Sequence, residues 1–348
     1  IFDKIYLSNN LKKSKFNGEM FDSIRNDFEG KILHIGDNPI SDKKNLIKKN
    51  IKSLLVPTLN SIILNSNFSS IYAFNQSIYA KVFIGLIKKK ISYIIYKCVK
   101  LKKFSIYNLK DFGYIFFNIL NFIFSNYLIN ISKKNKIQKL LLCSREGYFF
   151  NQTLNFLKKK NVNIPNYSYF ITSRKLSTIS AIYNENDIID SFKKHRFLGL
   201  FKDLTQERFN ITLSKENIKN SNYLIDTRRD TLKLKMLLKI ENDKIINKSL
   251  QIRNEYKKYI LKQFSNYRIA FVDQGFYGTS QKSIEKIFNR KFFGIYVCLK
   301  DKDYYKKCLF DFKNSYFYNH QIFFESLFTG PKGSVININR KGNFIFQK

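Results

Sequence analysis

Three short apolar runs end in residues that can hold an anion or move a proton. "LLLCSREGYFF" (residues 140–150) puts Ser144, Arg145, Glu146 and Gly147 directly after an apolar stretch, and "YFITSRKLS" (169–177) repeats the arrangement with Ser173 and Arg174. "IAFVDQGFYGTSQ" (269–281) runs into Asp273, Gln274 and Gly275, followed by Gly278, Thr279 and Gln281. Arg offers planar, bidentate recognition of phosphate, and a Gly-containing turn that opens a helix offers backbone N–H donors. If the three runs are neighbouring strands, their ends make one anion-binding crevice. The plainer alternative is that each Arg pairs with a local acid, as Arg145 would with Glu146.

A fourth stretch raises a different chemistry. "KILHIGDNPISDKK" (31–44) ends an apolar run in Gly36 and Asp37, and Asp42 follows five residues after the first carboxylate. In parallel α/β sheets ligands gather at the carboxyl ends of strands, where two carboxylates can converge on a cation. Hard oxygen ligands suit Mg²⁺, and Mg²⁺ suits phosphate chemistry. Asp37 as the cap of the next helix is the bland reading.

The elements that must position these residues are legible from periodicity. Residues 1–58 alternate apolar runs and helical stretches: "KIYLS", "NGEMFDSIRNDF", "KILHIGD", "SDKKNLIKKNI" and "KSLLVPT". That strand-helix order calls for a parallel sheet with covering helices. Residues 59–135 read as helical, rich in Phe, Tyr and Ile, and 136–348 return to α/β. "FGYIFFNILNFIFSNYLINI" (112–131) has 20 residues without a charge, long enough to span a bilayer. Asn118, Asn121, Ser125, Asn126 and Asn130 fall at helical spacings within it, as in a core helix with one wetter side, and we expect a buried helix.

The formal charge of +36 comes from 62 Lys and Arg against 26 Asp and Glu. The excess is mostly Lys, spread along the whole chain and accompanied by abundant Asn, Ile, Phe and Tyr, which is the bias of an AT-rich genome. We therefore expect no specific nucleic-acid partner and at most a peripheral attraction to an anionic membrane surface. Cys98, Cys143, Cys298 and Cys308 show no C-x-x-C spacing, so neither a zinc site nor a disulfide framework is expected, and a reducing, cytoplasmic compartment is. His320 reads as structural.

Two resemblances carry the reading further. Ser8 at the end of "KIYLS", then Lys15, then Gly36-Asp37 and Asp42, resemble in order the second, third and fourth motifs of haloacid dehalogenase-like phosphatases. The resemblance implies that Ser8 and Lys15 hold a phosphoryl group and that Asp37 and Asp42 position Mg²⁺. That family's nucleophile belongs to an Asp-x-Asp motif on an earlier strand, and none precedes Ser8. The chain opens with Ile1, and we expect the nucleophile strand to be missing and this phosphatase part to be inactive.

"LCSREGYF", "YFITSRK", "VDQGFYGTSQ" and "FFESLFTGPKGSV" are similar to the domain that follows such a phosphatase in bacterial dual-domain ribofuranosyltransferases of polysaccharide gene clusters. Glu146 stands where that pattern has Asp, and Phe276 where it has Trp. The fold this implies is α/β: the C-terminal half of a haloacid dehalogenase-like Rossmannoid sheet (1–58), a helical segment (59–135) and a second α/β domain (136–348). The activity implied is transfer of a 5-phosphoribosyl group from phosphoribosyl pyrophosphate to a glycan acceptor, expected to be lipid-linked at the inner face of the membrane. Asp273, with Glu146 second, would be the base. Glu325 would help close the crevice, and Arg145, Gly147, Ser173, Arg174, Gln274, Gly275, Gly278, Thr279 and Gln281 would bind substrate. A decayed, non-enzymatic subunit that holds a glycan or a protein partner is the competing expectation.

Overall fold

The computed structural model describes residues 4–64, 78–97, 109–193, 197–264, 267–300, 303–311 and 325–347. Cys98, His320 and part of the expected helical segment lie outside the described residues. Contacts divide the chain into two units, residues 1–72 with 88–109, and residues 73–87 with 110–348.

The first unit is built on two parallel strands, β1 (Leu33–Gly36) and β2 (Lys52–Leu55), in register from Leu33 opposite Lys52 to Gly36 opposite Leu55. A π-helical turn, Ile40–Lys44, continues into helix Asn45–Ile47 between them. One apolar cluster among the described residues of this unit is Phe21, Leu46 and Ile51, with Ile24 and Ile32 against it. "KIYLS" is not a strand. Residues 4–7 are irregular and Ser8–Leu11 is a short helix. Polar contacts hold that segment, since Lys4 Nζ and Tyr6 Oη both donate to Asp27 Oδ2, at 2.6 and 2.7 Å, instead of the backbone joining a ladder. Two parallel strands make this unit α/β and define no particular α/β family.

The second unit holds a five-stranded parallel sheet in the order β4-β3-β7-β8-β9. Its strands are β3 (Lys139–Cys143), β4 (Asn166–Phe170), β7 (Ile269–Phe276), β8 (Phe293–Leu299) and β9 (Lys306–Asp311). Two antiparallel pairs stand apart: β5 (Leu198–Leu200) with β6 (Leu224–Asp226), and β10 (Val335–Ile338) with β11 (Phe344–Phe346). All seven residues of β8 are buried, which is why it reads as an unbroken apolar run.

Side chains alternate across this sheet. Leu141, Phe170 and Phe271 pack with Leu176, Tyr256, Ile260 and Ile284 of three helices, Arg174–Ser180, Thr231–Phe264 and Thr279–Phe288. The alternate residues Leu140, Leu142, Ala270 and Val272 are equally buried. The 34-residue helix Thr231–Phe264 shows why a surface helix needs only one apolar stripe: Leu234, Leu238, Glu241, Ile245, Ser249, Ile252, Tyr256 and Ile260 recur every three or four residues and are its buried side. The one acid in that stripe, Glu241, accepts the Ser214 N–H and hydroxyl and the Asn217 amide.

The uncharged stretch 112–131 lies in a continuous helical segment, Lys110–Lys134, which is long and apolar enough to cross a membrane by length and composition. Most of its apolar window is buried in the protein. Asn118, Asn126 and Asn130 are exposed along one stripe, as the spacing predicts. Asn121 and Ser125 are not, and the Asn121 amide donates to Thr153 Oγ1 at 2.5 Å.

Candidate functional site

Strand order locates the site before any side chain is considered. The chain passes from β3 outward to β4, then returns to the other side of β3 and continues outward through β7, β8 and β9. The direction of winding reverses between β3 and β7, and a parallel sheet opens a crevice at the carboxyl ends of its strands at such a point. A cavity of about 650 Å³ lies there, lined by the residues that follow β3 and β4 and by the end of β7.

Each turn into it has a local cause. After β3, Ser144 N–H bonds the Phe170 carbonyl at 2.8 Å and the Arg145 N–H donates to Tyr169 Oη at 3.0 Å. Arg145 adopts a left-handed φ of 67°, an uncommon conformation for a side chain of this size. Gly147 starts the next helix under tight constraint, because a Cβ there would sit 2.7 Å from the Leu142 carbonyl. After β4, Ser173 caps helix Arg174–Ser180 by accepting the Leu176 N–H at 3.0 Å, and it donates to the Val335 carbonyl at 2.5 Å. At the end of β7, Gly275 has a φ of 113°, and a Cβ there would meet the Cys298 carbonyl oxygen at 1.9 Å. No other residue type fits that position.

The crevice brings together Arg145, Glu146, Ser173, Arg174, Asp273, Gln274, Gly275, Gly278, Thr279 and Glu325, all named from the sequence. Two residues fall elsewhere. Gly147 is buried at its helix start, and Gln281 is committed to a buried network, donating to Glu285 Oε1 and the Phe292 carbonyl at 2.8 and 2.9 Å and accepting from Tyr296 Oη at 2.5 Å. Gln281 therefore braces β8 against helix Thr279–Phe288, and its amide is already used.

The carboxylates carry the electrostatics. Burial pushes Asp273 up to about 6; the Gln274 N–H, Arg174 and Arg145 pull it back in part, and Glu325 adds to the rise. Burial also pushes Glu146 up to about 7, aided by repulsion from Asp273 and opposed by Arg145, whose Nη2 lies 3.0 Å from Glu146 Oε1. With both raised toward neutrality, the two hold between them less than two full charges near pH 7. Gln274 is 2% exposed, and among the described residues neither its amide nitrogen nor its amide oxygen has a hydrogen-bond partner. A buried amide left unsatisfied costs about 1–3 kcal/mol, and a water or a ligand in the crevice would complete its bonding.

Sequence reasoning missed Lys175, Glu207 and Arg208, which line the same crevice. Lys175 was visible in "SRKLS" beside Arg174. Arg208 gave no signal, since a basic residue on an amphipathic helix such as Phe201–Phe209 looks like an ordinary surface position until the fold turns it inward.

In the first unit the structure joins Lys15 to Asp42 at 2.7 Å, with the Asp42 side chain fully buried. Asp42 Oδ2 accepts the N–H groups of Asp37 and Asn38 at 2.9 Å each, and Oδ1 also faces His34 Nε2 at 3.2 Å and the Ser41 hydroxyl at 3.3 Å. Burial alone would raise this carboxyl, but Lys15, the Asn38 N–H and His34 outweigh it and hold it well below the usual range. Asp42 so arranged braces the turn after β1, with both of its oxygens bonded inside the unit, while Asp37 is exposed. Among the described residues no group of three or more His, Cys, Asp and Glu is arranged to hold a metal ion. The Ser8 hydroxyl meets Met20 Sδ at 3.7 Å.

Comparison with protein-family models and with curated proteins gives no match to this chain.

Proposed function

We propose that the second unit is a glycosyltransferase that moves a 5-phosphoribosyl group from phosphoribosyl pyrophosphate to a hydroxyl of a glycan acceptor. The observation that carries the reading is the meeting of Arg145, Arg174, Asp273, Glu146 and Glu325 in one crevice at the reversal point of a parallel sheet. Displacement of pyrophosphate from the anomeric carbon builds positive charge on the ribose ring and negative charge on the leaving group. A crevice with both carboxylates and guanidinium groups supplies partners for each.

In this reading the acceptor O–H gives its proton to Asp273. The acceptor oxygen bonds the anomeric carbon as the carbon–oxygen bond to pyrophosphate breaks, and pyrophosphate leaves with that electron pair. A base raised to about 6 is ionised at neutral pH yet close enough to it to take a proton. Arg174 and Arg145 hold the phosphates at either side. Mg²⁺ would travel on the diphosphate, which needs no dedicated protein cage.

The first unit is proposed as the later part of a haloacid dehalogenase-like phosphatase domain, supported by the order of Ser8, Lys15, Asp37 and Asp42 and by the Lys15–Asp42 pair. A cytoplasmic setting, with the basic chain against the anionic inner face of the membrane where a lipid-linked acceptor would lie, follows from the same reading. The test is transfer from phosphoribosyl pyrophosphate labelled in the ribose to a lipid-linked glycan. Label entering the glycan in step with pyrophosphate release supports the proposal. Pyrophosphate released with no label in the glycan, or no turnover at all, contradicts it.

A further inference from the structure

The helix Thr231–Phe264 carries two apolar stripes. One is its buried side, but near the helix start Leu232, Met236 and Ile240, spaced four residues apart, are 79, 73 and 44% exposed on the opposite side. Single exposed apolar residues are ordinary on a protein surface, whereas three in one row form an uncovered stripe. Lys233, Lys235 and Lys239 are exposed beside it, and no acid interrupts residues 231–240. Of the nearest acids, Asp230 accepts the Asp226 N–H at 2.8 Å, Glu241 is buried, and Asp243 is the first on the surface beyond Ile240. Lys233 Nζ stands 4.3 Å from the centre of the Tyr223 ring, so the exposed Tyr223, with exposed Leu224 next in the chain, adjoins the start of the stripe.

The same helix ties the stripe to the site, because it runs antiparallel to the strands. Near its end, Lys139 Nζ at the start of β3 donates to the Gln263 carbonyl at 2.8 Å, and Tyr256 Oη bonds Thr172 Oγ1, just past β4, at 2.7 Å. Leu232 lies about 36 Å further along the helix, at ~1.5 Å per residue, beyond the carboxyl ends of the strands where the crevice opens. We infer that Leu232, Met236 and Ile240, flanked by Lys233, Lys235 and Lys239, form a docking surface for an anionic lipid bilayer. The apolar side chains enter the interfacial region while the ammonium groups meet lipid phosphates. Basic flanks suit a negatively charged membrane better than a second copy of a chain whose formal charge is +36. The docking stands on these residues alone; that it brings the crevice to a lipid-linked acceptor rests on the transferase reading.

The chain contains no Trp, so Met236→Trp puts a single fluorescent reporter in the stripe, and Phe156→Trp puts one at an exposed helix position outside it. With vesicles of mixed phosphatidylglycerol and phosphatidylcholine, Met236→Trp emission should shift to the blue and become shielded from aqueous iodide, while Phe156→Trp emission stays as it is in buffer. The triple variant Lys233→Gln/Lys235→Gln/Lys239→Gln should partition onto these vesicles about 30- to 100-fold less in cosedimentation, the scale of three surface lysines. Failure of the unmutated chain to sediment with anionic vesicles, equal partition onto pure phosphatidylcholine, or an equal shift at both reporters overturns the inference. So does a shift of Met236→Trp without vesicles that grows with protein concentration, as a second copy on the stripe would give. If thermal melting shows the triple variant unfolded, the two reporters and the lipid preference of the unmutated chain decide the matter. Docking without transfer of ribose label keeps the surface and loses the transferase reading. Transfer without docking does the reverse.

Discussion

Replacing Glu146 by Gln removes one of the two buried carboxylates while keeping the size and most of the hydrogen-bonding capacity of the side chain. Burial and the neighbouring Asp273 lift Glu146 from an ordinary 4.5 to about 7, a displacement equivalent to roughly 3 kcal/mol if Glu146 titrated alone. Part of that figure is repulsion from Asp273, so about 1–3 kcal/mol is expected. The sign follows from linkage. The folded value lies above the unfolded one, so the folded protein holds this proton more tightly. The stability contribution is complete below about pH 4.5 and is lost as pH rises through about 7. Glu146→Gln cannot suffer that loss. In urea unfolding, the variant should therefore gain on the unmutated protein by about 1–3 kcal/mol between pH 5 and pH 8. Parallel stability profiles over that range would refute the claim that Glu146 is held protonated by burial beside Asp273.

Gln274→Leu should stabilise the ligand-free protein by up to about 1–2 kcal/mol in thermal melts, because an unsatisfied buried amide gives way to an apolar group of similar size, yet weaken donor binding about tenfold or more by calorimetry. Asp42→Ala should cost the first unit about 1–3 kcal/mol, since it strands the Asp37 and Asn38 N–H groups while the half-exposed Lys15 ammonium stays hydrated; hydrogen exchange at residues 33–55 reads it, and unchanged protection would contradict the brace. Gly275→Ala should cost at least about 2 kcal/mol, from positive φ and collision with the Cys298 carbonyl, measured by denaturant midpoint.

The parts of the site that could be read from the sequence were those set by strand ends. Arg145, Arg174 and Asp273 each sit where an apolar run stops, and a parallel sheet gathers such positions on one edge. Arg208 was hidden because its place in the crevice depends on how helix Phe201–Phe209 packs, which no local pattern encodes. Gln281 was assigned to substrate by resemblance, but Tyr296 and Glu285 claim its amide, a long-range contact that spacing does not reveal. "KIYLS" has the composition of a strand but is irregular over residues 4–7 and helical from Ser8, with Lys4 and Tyr6 bonded to Asp27, 23 and 21 residues further along. Fold class was legible at the level of α/β with a parallel sheet, because the apolar runs of β3, β7 and β8 are long, continuous and rich in residues that favour strands.

The most direct measurement of the central claim is a single-turnover comparison of the unmutated chain with Asp273→Asn, using ribose-labelled phosphoribosyl pyrophosphate and a lipid-linked glycan, with donor binding followed by calorimetry. Loss of the base should slow transfer about 10²- to 10⁴-fold while donor affinity changes little and the melting profile is kept. Equal transfer rates in the two proteins would show that Asp273 is not the base, and donor binding to neither would show that this crevice does not serve a phosphoribosyl donor.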